Sequence, residues 1–259
     1  MANGIAVLMY HELQSARRPL CHADAGYRRY VVSAPAFRVQ LEQLKASGFS
    51  GVCIGDALKG LTGKHVGLTF DDGCESDLIF AAPALNELGF QATYYITAGC
   101  LGRSGYLTES QLRELSAGGG EIGCHSMTHP YLNELDDTAL HDEIAGAKER
   151  LEQVVGCPVE HFSCPGGRFN QRVVAKVKEA GYATLANSEP SLYSRETDVY
   201  SIGRIPVLHN TEASELERIC EGRGLWRRAL GQKIRSTTQK VVGNRLYDGL
   251  RSSLLSRSE

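Results

Sequence analysis

Short apolar runs alternate with amphipathic stretches along most of the chain. Ile5-Ala6-Val7-Leu8-Met9-Tyr10 reads as a buried strand, followed by an irregular loop to about residue 33. Ser33-Ala34-Pro35 starts a helix, with Phe37, Leu41 and Leu44 at helical spacing and Gly48 as its stop. Val52-Cys53-Ile54 and Val66-Gly67-Leu68-Thr69-Phe70 are the next strands. A helix over 79–88, ended by Gly89, leads to a strand over 91–97. Thr108-x-x-Gln111 is a capping-box start for the helix through Leu115, before a short strand over 120–124. A long helix over 137–155, closed by Gly156, precedes a strand over 159–164. A helix over 173–180, strands over 182–185 and 202–207, and a helix over 213–220 complete the pattern. Seven or so strands in βα alternation predict one parallel barrel or doubly wound sheet, without an internal boundary.

The length of 259 residues is ample for a sizeable core, and 42% hydrophobic with 22% charged residues is ordinary globular composition. A net charge of −2 argues against a nucleic-acid binder, but the charge is uneven. Residues 223–257 hold nine Lys/Arg against one acid, Asp248. No stretch approaches the roughly 20 apolar residues of a membrane-spanning helix. The N-terminus lacks a basic region, and its apolar run is too short for a signal peptide, so a cytoplasmic location is expected. Eight cysteines show no CxxC pair or zinc-finger spacing and read as free, mostly buried thiols.

In α/β barrels, chemistry sits just past the C-terminal ends of the strands. There this chain places Tyr10-His11-Glu12, Asp71-Asp72-Gly73, His125-Ser126-Met127-Thr128-His129-Pro130, Pro165-Gly166-Gly167-Arg168 and Leu208-His209-Asn210. His125 and His129 are four apart, so a helical turn would set both imidazoles on one side. With one carboxylate they make a two-His, one-carboxylate set suited to Zn2+ or a similar divalent ion. Adjacent aspartates repel unless a cation or proton separates them, which suggests one ligand and one free general base. That arrangement serves metal-assisted hydrolysis, in which a metal acidifies a bound water and a carboxylate takes its proton. Gly166 and Gly167 would let backbone N–H groups approach an oxyanion.

Thr69-Phe70-Asp71-Asp72-Gly73 and His125-Ser126-x-x-His129-Pro130 resemble the first two motifs of the polysaccharide deacetylases (NodB homology domain, carbohydrate esterase family 4). Phe162-Ser163-Cys164-Pro165-Gly166-Gly167 resembles a version of the third, and the similarity runs over roughly residues 5–210. The resemblance implies a distorted (β/α)7 barrel and metal-dependent removal of N- or O-acetyl groups from sugars. It implies Asp71 as general base, with Asp72, His125 and His129 as metal ligands, Zn2+ first and Co2+ or Ni2+ as alternatives. It also implies Gly166 N–H as oxyanion donor.

Three departures stand out. Ser163 occupies the place of the third-motif arginine that orients the catalytic Asp, and Arg168 is the nearby substitute. No acyl-pocket Asp and Trp pair is visible, the one tryptophan being Trp226 in the basic tail. The fifth motif is matched only in part by Val207-Leu208-His209, leaving His209 and His11 as the two candidates for general acid. Gly118-x-Gly120-x-x-Gly123 precedes a strand and opens no helix, so it is not a dinucleotide fingerprint.

The reading is a deacetylase domain over 1–222 with a basic helical extension over 223–259. The substrate would be an N-acetylated sugar, lipid- or nucleotide-linked, in surface-glycan assembly. The tail would either pack on the barrel or lie on the inner membrane face as a basic amphipathic helix. The alternatives are a deformylase or small-molecule amidohydrolase, or a non-catalytic relative that binds glycan or membrane.

Overall fold

The first apolar run folds as β1 (Ile5–Tyr10) in the computed structural model, which describes residues 4–15, 18–22, 24–60 and 62–225. The loop after it holds more structure than its sequence predicts: β2 (Leu13–Gln14), the one-turn helix α1 (Ala25–Arg28) and β3 (Val32–Ser33). β2 and β3 pair in parallel, Leu13 against Val32. α2 (Ala34–Ala46) starts where the sequence places it, because the Ser33 hydroxyl accepts the Ala36 N–H at 3.2 Å. β4 (Ser50–Val52) ends early, since Ile54 opens the short helix α3 (Ile54–Ala57). β5 (His65–Phe70) is followed by a π-helical turn (Asp77–Ala81) that runs into α4 (Ala82–Leu88). β6 (Thr93–Ile96) and α5 (Glu109–Ala117) come next, the helix capped by Thr108 and Gln111 reciprocally. Then come β7 (Glu121–Cys124), α6 (Asp137–His141) and, beyond a second π-helical turn (Asp142–Gly146), α7 (Ala147–Val155). The last elements are β8 (His161–Ser163), α8 (Gln171–Glu179), β9 (Thr184–Ala186), β10 (Leu192–Tyr193), β11 (Ile205–Pro206) and α9 (Ala213–Cys220).

Parallel pairing runs β1-β5-β6-β7-β8-β9. The ring closes through the segment before β11: Ile202 bridges Ala186 of β9, and Ile205 pairs with Leu8 of β1, both in parallel. Seven parallel segments therefore surround one axis, with β4 added beside β5 and β10 antiparallel to the start of β1. This is a distorted (β/α)7 barrel.

Side chains alternate across the strands, as a two-residue period requires. Leu8, Tyr10, Phe70, Tyr94 and Ile96 face the helices with Phe37, Leu41 and Leu44 of α2. Tyr10, Phe70 and Tyr94 stack in sequence, with centroids 5.4 and 5.2 Å apart. Val7, Tyr95, Ala186 and Ile202 form a separate inner cluster. Because all seven segments run the same way, their C-terminal ends form one mouth, and the motif residues emerge there. No helix among the described residues is long and apolar enough to cross a membrane. The expected basic extension lies outside the described residues beyond Leu225.

Candidate active site

Asp71 and Asp72 follow the end of β5, and each brings a carboxylate oxygen near His125 Nε2, Asp71 at 3.8 Å and Asp72 at 3.7 Å. Asp72 takes a left-handed conformation (φ 78°), unusual for a residue with a side chain. Its backbone carbonyl accepts the Thr97 N–H at 3.3 Å, while Asp71 N–H donates to Tyr10 O at 3.0 Å. Both carboxylates are buried.

His125 and His129 do come together, but not on a helical turn. Ser126 and His129 both have φ 65°, and the segment is a tight loop. The His129 N–H bonds the Ser126 hydroxyl at 2.9 Å. Glu143, from the π-helical turn after α6, accepts the backbone N–H groups of Met127 (2.9 Å) and Thr128 (2.8 Å) and the Thr128 hydroxyl. A buried carboxylate thus holds the loop in shape.

Asp72 Oδ1 lies 3.7 Å from His125 Nε2 and 3.6 Å from His129 Nε2. These separations are too long for hydrogen bonds. They approach the roughly 3.3 Å expected between two donors that share a tetrahedral zinc at about 2.0 Å. His125 Nδ1 contacts Ser163 O at 2.8 Å, which turns Nε2 toward Asp72. Burial pulls the His125 imidazole down to about 4 against the opposing charge of Asp71, so it is neutral at neutral pH, as a ligand must be. The three donors fit a divalent ion.

Asp71 is engaged differently. Arg204 grips it with two bonds, Nη1 to Oδ1 at 2.6 Å and Nη2 to Oδ2 at 2.8 Å. The other three N–H donors go to Thr69 Oγ1 (3.2 Å), Ser163 Oγ (2.7 Å) and Asn187 O (3.1 Å). All five guanidinium donors are satisfied in a fully buried site. Burial would raise the Asp71 carboxyl, but the Arg204 charge outweighs it and holds the group well below the usual carboxylate range. Ser163, the residue where the family carries its arginine, accepts a bond from this one. The guanidinium beside Asp71 is therefore not that of Arg168, which lies 3.6 Å over the Tyr131 ring.

Sequence reasoning missed Arg204, which enters from the segment leading to β11. Its signal was an arginine inside the apolar run Ile202-Gly203-Arg204-Ile205-Pro206-Val207, where an unpaired charge would be costly. Gly203 lets the run pass close by: a Cβ there would lie 2.4 Å from Glu189 O. Glu143 was missed as well, with no distinguishing spacing.

His11 follows β1, its ring 4.6 Å from that of Tyr30. Its Nδ1 is buried and has no hydrogen-bond partner among the described residues. Burial lowers its pKa, while the charges of Asp72 and Asp71 oppose the shift. His209 is exposed beyond β11, its backbone N–H on Arg29 O at 2.9 Å. Gly166 sits in the turn Pro165–Gly167 after β8 with φ 62°, beside Tyr131.

Residues 59–185 match the family model described as polysaccharide deacetylase. Over 209 residues the chain is 26% identical to YxkH of Bacillus subtilis, covering 78% of this chain and 71% of that one. Over 123 residues it is 33% identical to a peptidoglycan-N-acetylglucosamine deacetylase of Bacillus cereus, covering 47% of this chain and 55% of the relative. The solved Streptococcus pyogenes deacetylase PplD shares the fold, with TM-score 0.72, 23% identity and coverage of 82% of this chain and 96% of that one. The matched segment carries the Asp and His motifs, and most of the chain shares the barrel of that deacetylase, so the chain matches the polysaccharide deacetylase family in motif and in fold.

Proposed function

We propose that this chain is a metal-dependent hydrolase that removes an N-acetyl, or O-acetyl, group from a sugar in surface-glycan assembly. One observation carries the reading. Two adjacent aspartates lie in different surroundings, Asp72 beside two convergent imidazoles and Asp71 on a buried guanidinium.

Asp72, His125 and His129 would hold a divalent ion, Zn2+ first with Co2+ or Ni2+ as alternatives, which when bound supplies Lewis acidity to the carbonyl and acidifies water. Asp71 serves as the base that takes a proton from the attacking water. Arg204 keeps it ionised and fixes both oxygens, so its orientation survives each proton transfer. Gly166 N–H contributes a donor to the developing oxyanion. His11 protonates the departing amine in this reading. Burial leaves it neutral at rest, so the proton that Asp71 receives must reach it before the amine leaves. His209, exposed and without a hydrogen bond or ion pair to Asp71 or Asp72 among the described residues, is the less suited of the two.

The substrate in this reading is an N-acetylated sugar, lipid- or nucleotide-linked and met at the cytoplasmic face. The basic residues of 223–259 would provide a peripheral contact with anionic lipid. Deleting that segment should then release the protein from anionic vesicles in a sedimentation assay, and unchanged partitioning would remove this part of the proposal.

The activity is tested by incubating the zinc-loaded protein with UDP-linked, lipid-linked and oligomeric N-acetyl sugars and measuring acetate and formate. Acetate is the expected product. Formate alone would make the enzyme a deformylase, and neither product from the zinc-bound protein would overturn the hydrolase reading.

A further inference from the structure

Cys21 and Cys74 take no part in the chemistry above, yet their sulfurs lie 3.1 Å apart. That is about 1 Å beyond the length of a disulfide bond. Cys74 is buried directly after Asp71-Asp72-Gly73, and Cys21 is partly exposed on the loop before α1.

A frame of hydrogen bonds holds the pair together. Glu12, fully buried, accepts the Cys21 backbone N–H at 3.0 Å and Arg18 Nη1 at 3.4 Å. Arg18 also reaches Gly105 O at 2.6 Å and Glu75 at 3.1 Å. Gly105 O in turn lies 3.0 Å from Cys21 Sγ. From the other side, Tyr27 OH lies 3.3 Å from Cys74 Sγ, and Cys74 pairs with Tyr106 in an antiparallel bridge. The backbone of each cysteine is thus anchored, and the short approach needed is left to the side chains.

Glu12 could complete a two-thiol, one-carboxylate cation site with these sulfurs. Its oxygens, however, already serve the Cys21 N–H and Arg18. The sulfurs are left to each other.

We propose that Cys21 and Cys74 form a reversible disulfide by exchange with a low-molecular-weight disulfide. The Cys21 thiol gives up its proton and the thiolate attacks one sulfur of the external disulfide, breaking its S–S bond and expelling a thiolate that takes up a proton to become the first released thiol. The Cys74 sulfur then attacks Cys21 Sγ in the mixed disulfide and releases the second thiol, which takes the Cys74 proton. Two protein thiols are oxidised and one external disulfide is reduced to two thiols. The new bond joins positions 53 apart in sequence and ties the partly exposed loop to the segment after the metal-site aspartate.

The test treats the folded full-length chain with excess oxidised glutathione, followed by intact mass, peptide mapping and thermal melting. The expected result is loss of two hydrogens, one Cys21–Cys74 linked peptide and a Tm raised by several degrees, all reversed by dithiothreitol. Cys21→Ser should keep the Tm of the reduced wild type and abolish both the link and the shift. Cys74→Ser should stop the reaction at a glutathione adduct on Cys21. An adduct that persists on Cys21 in the wild type, or no reaction at either thiol, would overturn the proposal. So would a second equivalent of zinc that shields both thiols and disappears in Cys21→Ser.

Discussion

The two ends of the barrel each gather histidine and carboxylate, and they treat them in opposite ways. At the end where strands begin, Glu121 accepts Thr93 Oγ1 and the Gly55 N–H and contacts His161 Nε2 at 3.5 Å. His161 Nδ1 meets Thr184 Oγ1 at 3.0 Å. Burial raises the Glu121 carboxyl, and the His161 contact brings it back below its ordinary value. Each group there already has partners, and four of them open β6, β7, β8 and β9. At the mouth, Asp72 stands 3.6–3.7 Å from His125 and His129 without bonding either, and Asp72 and His129 sit on backbone with φ of 78° and 65°. A His–carboxylate pair therefore says little until its hydrogen bonds are counted. Satisfied groups pin strands, whereas convergent and unsatisfied ones on strained loops are available for a ligand.

The sharpest way to break this comparison is at Arg204, which belongs to the mouth but is fully satisfied like the floor. Arg204→Met should leave Asp71 buried without its partner and destabilise the fold by roughly 3–5 kcal/mol in chemical denaturation. Arg204→Lys should not rescue it, because an ammonium has three donors for five acceptors and no bidentate fork. Next in size is the clamp on the histidine loop. Glu143→Gln keeps the shape but weakens the bonds to Met127 and Thr128, and should lower zinc affinity by about 10–100-fold in a competition titration.

Paired substitutions sharpen the contrast between the ends. His161→Gln should cost about 1–3 kcal/mol of stability through its unsatisfied neighbours and leave zinc binding intact. His129→Gln, at a half-exposed side chain, should change stability by no more than about 0.5 kcal/mol and lose zinc. The smallest effect is on pH dependence in the metal-free protein. His125 is held down to about 4, below the ordinary imidazole value, so its neutral form is favoured only in the fold. Its contribution is complete above a pH of about 6.5 and is lost as pH falls toward 4, where the unfolded chain already binds the proton. Melting of the metal-free wild type should therefore show a steeper acid-side fall than His125→Gln.

Where an arrangement was encoded in neighbouring residues, the sequence was readable. The Asp71-Asp72-Gly73 and His125–His129 motifs, the Ser33 cap of α2 and the limits of α9 all lie within one local pattern. Where the arrangement depended on closing the barrel, it was not. Arg204 reaches Asp71 across 133 positions, because the segment before β11 seals the ring between β9 and β1. No local period can announce such a contact, and Arg168 was the nearer arginine only along the chain. The histidine loop shows a second limit. Spacing of four suggested a helical turn, while left-handed residues at Ser126 and His129 achieve the same convergence by another route. The two-residue strands β2, β3 and β10 are too short to show alternation at all.

The division of labour between the adjacent aspartates is the centre of this account, and one experiment addresses it directly. Zinc content and acetate release from N-acetylated sugar oligomers would be measured on the same samples of wild type, Asp71→Asn and Asp72→Asn. Asp71→Asn should keep its zinc and lose turnover by about two to four orders of magnitude, and Asp72→Asn should lose both. Wild-type acetate release from Asp71→Asn, or full zinc retention by Asp72→Asn, would contradict it.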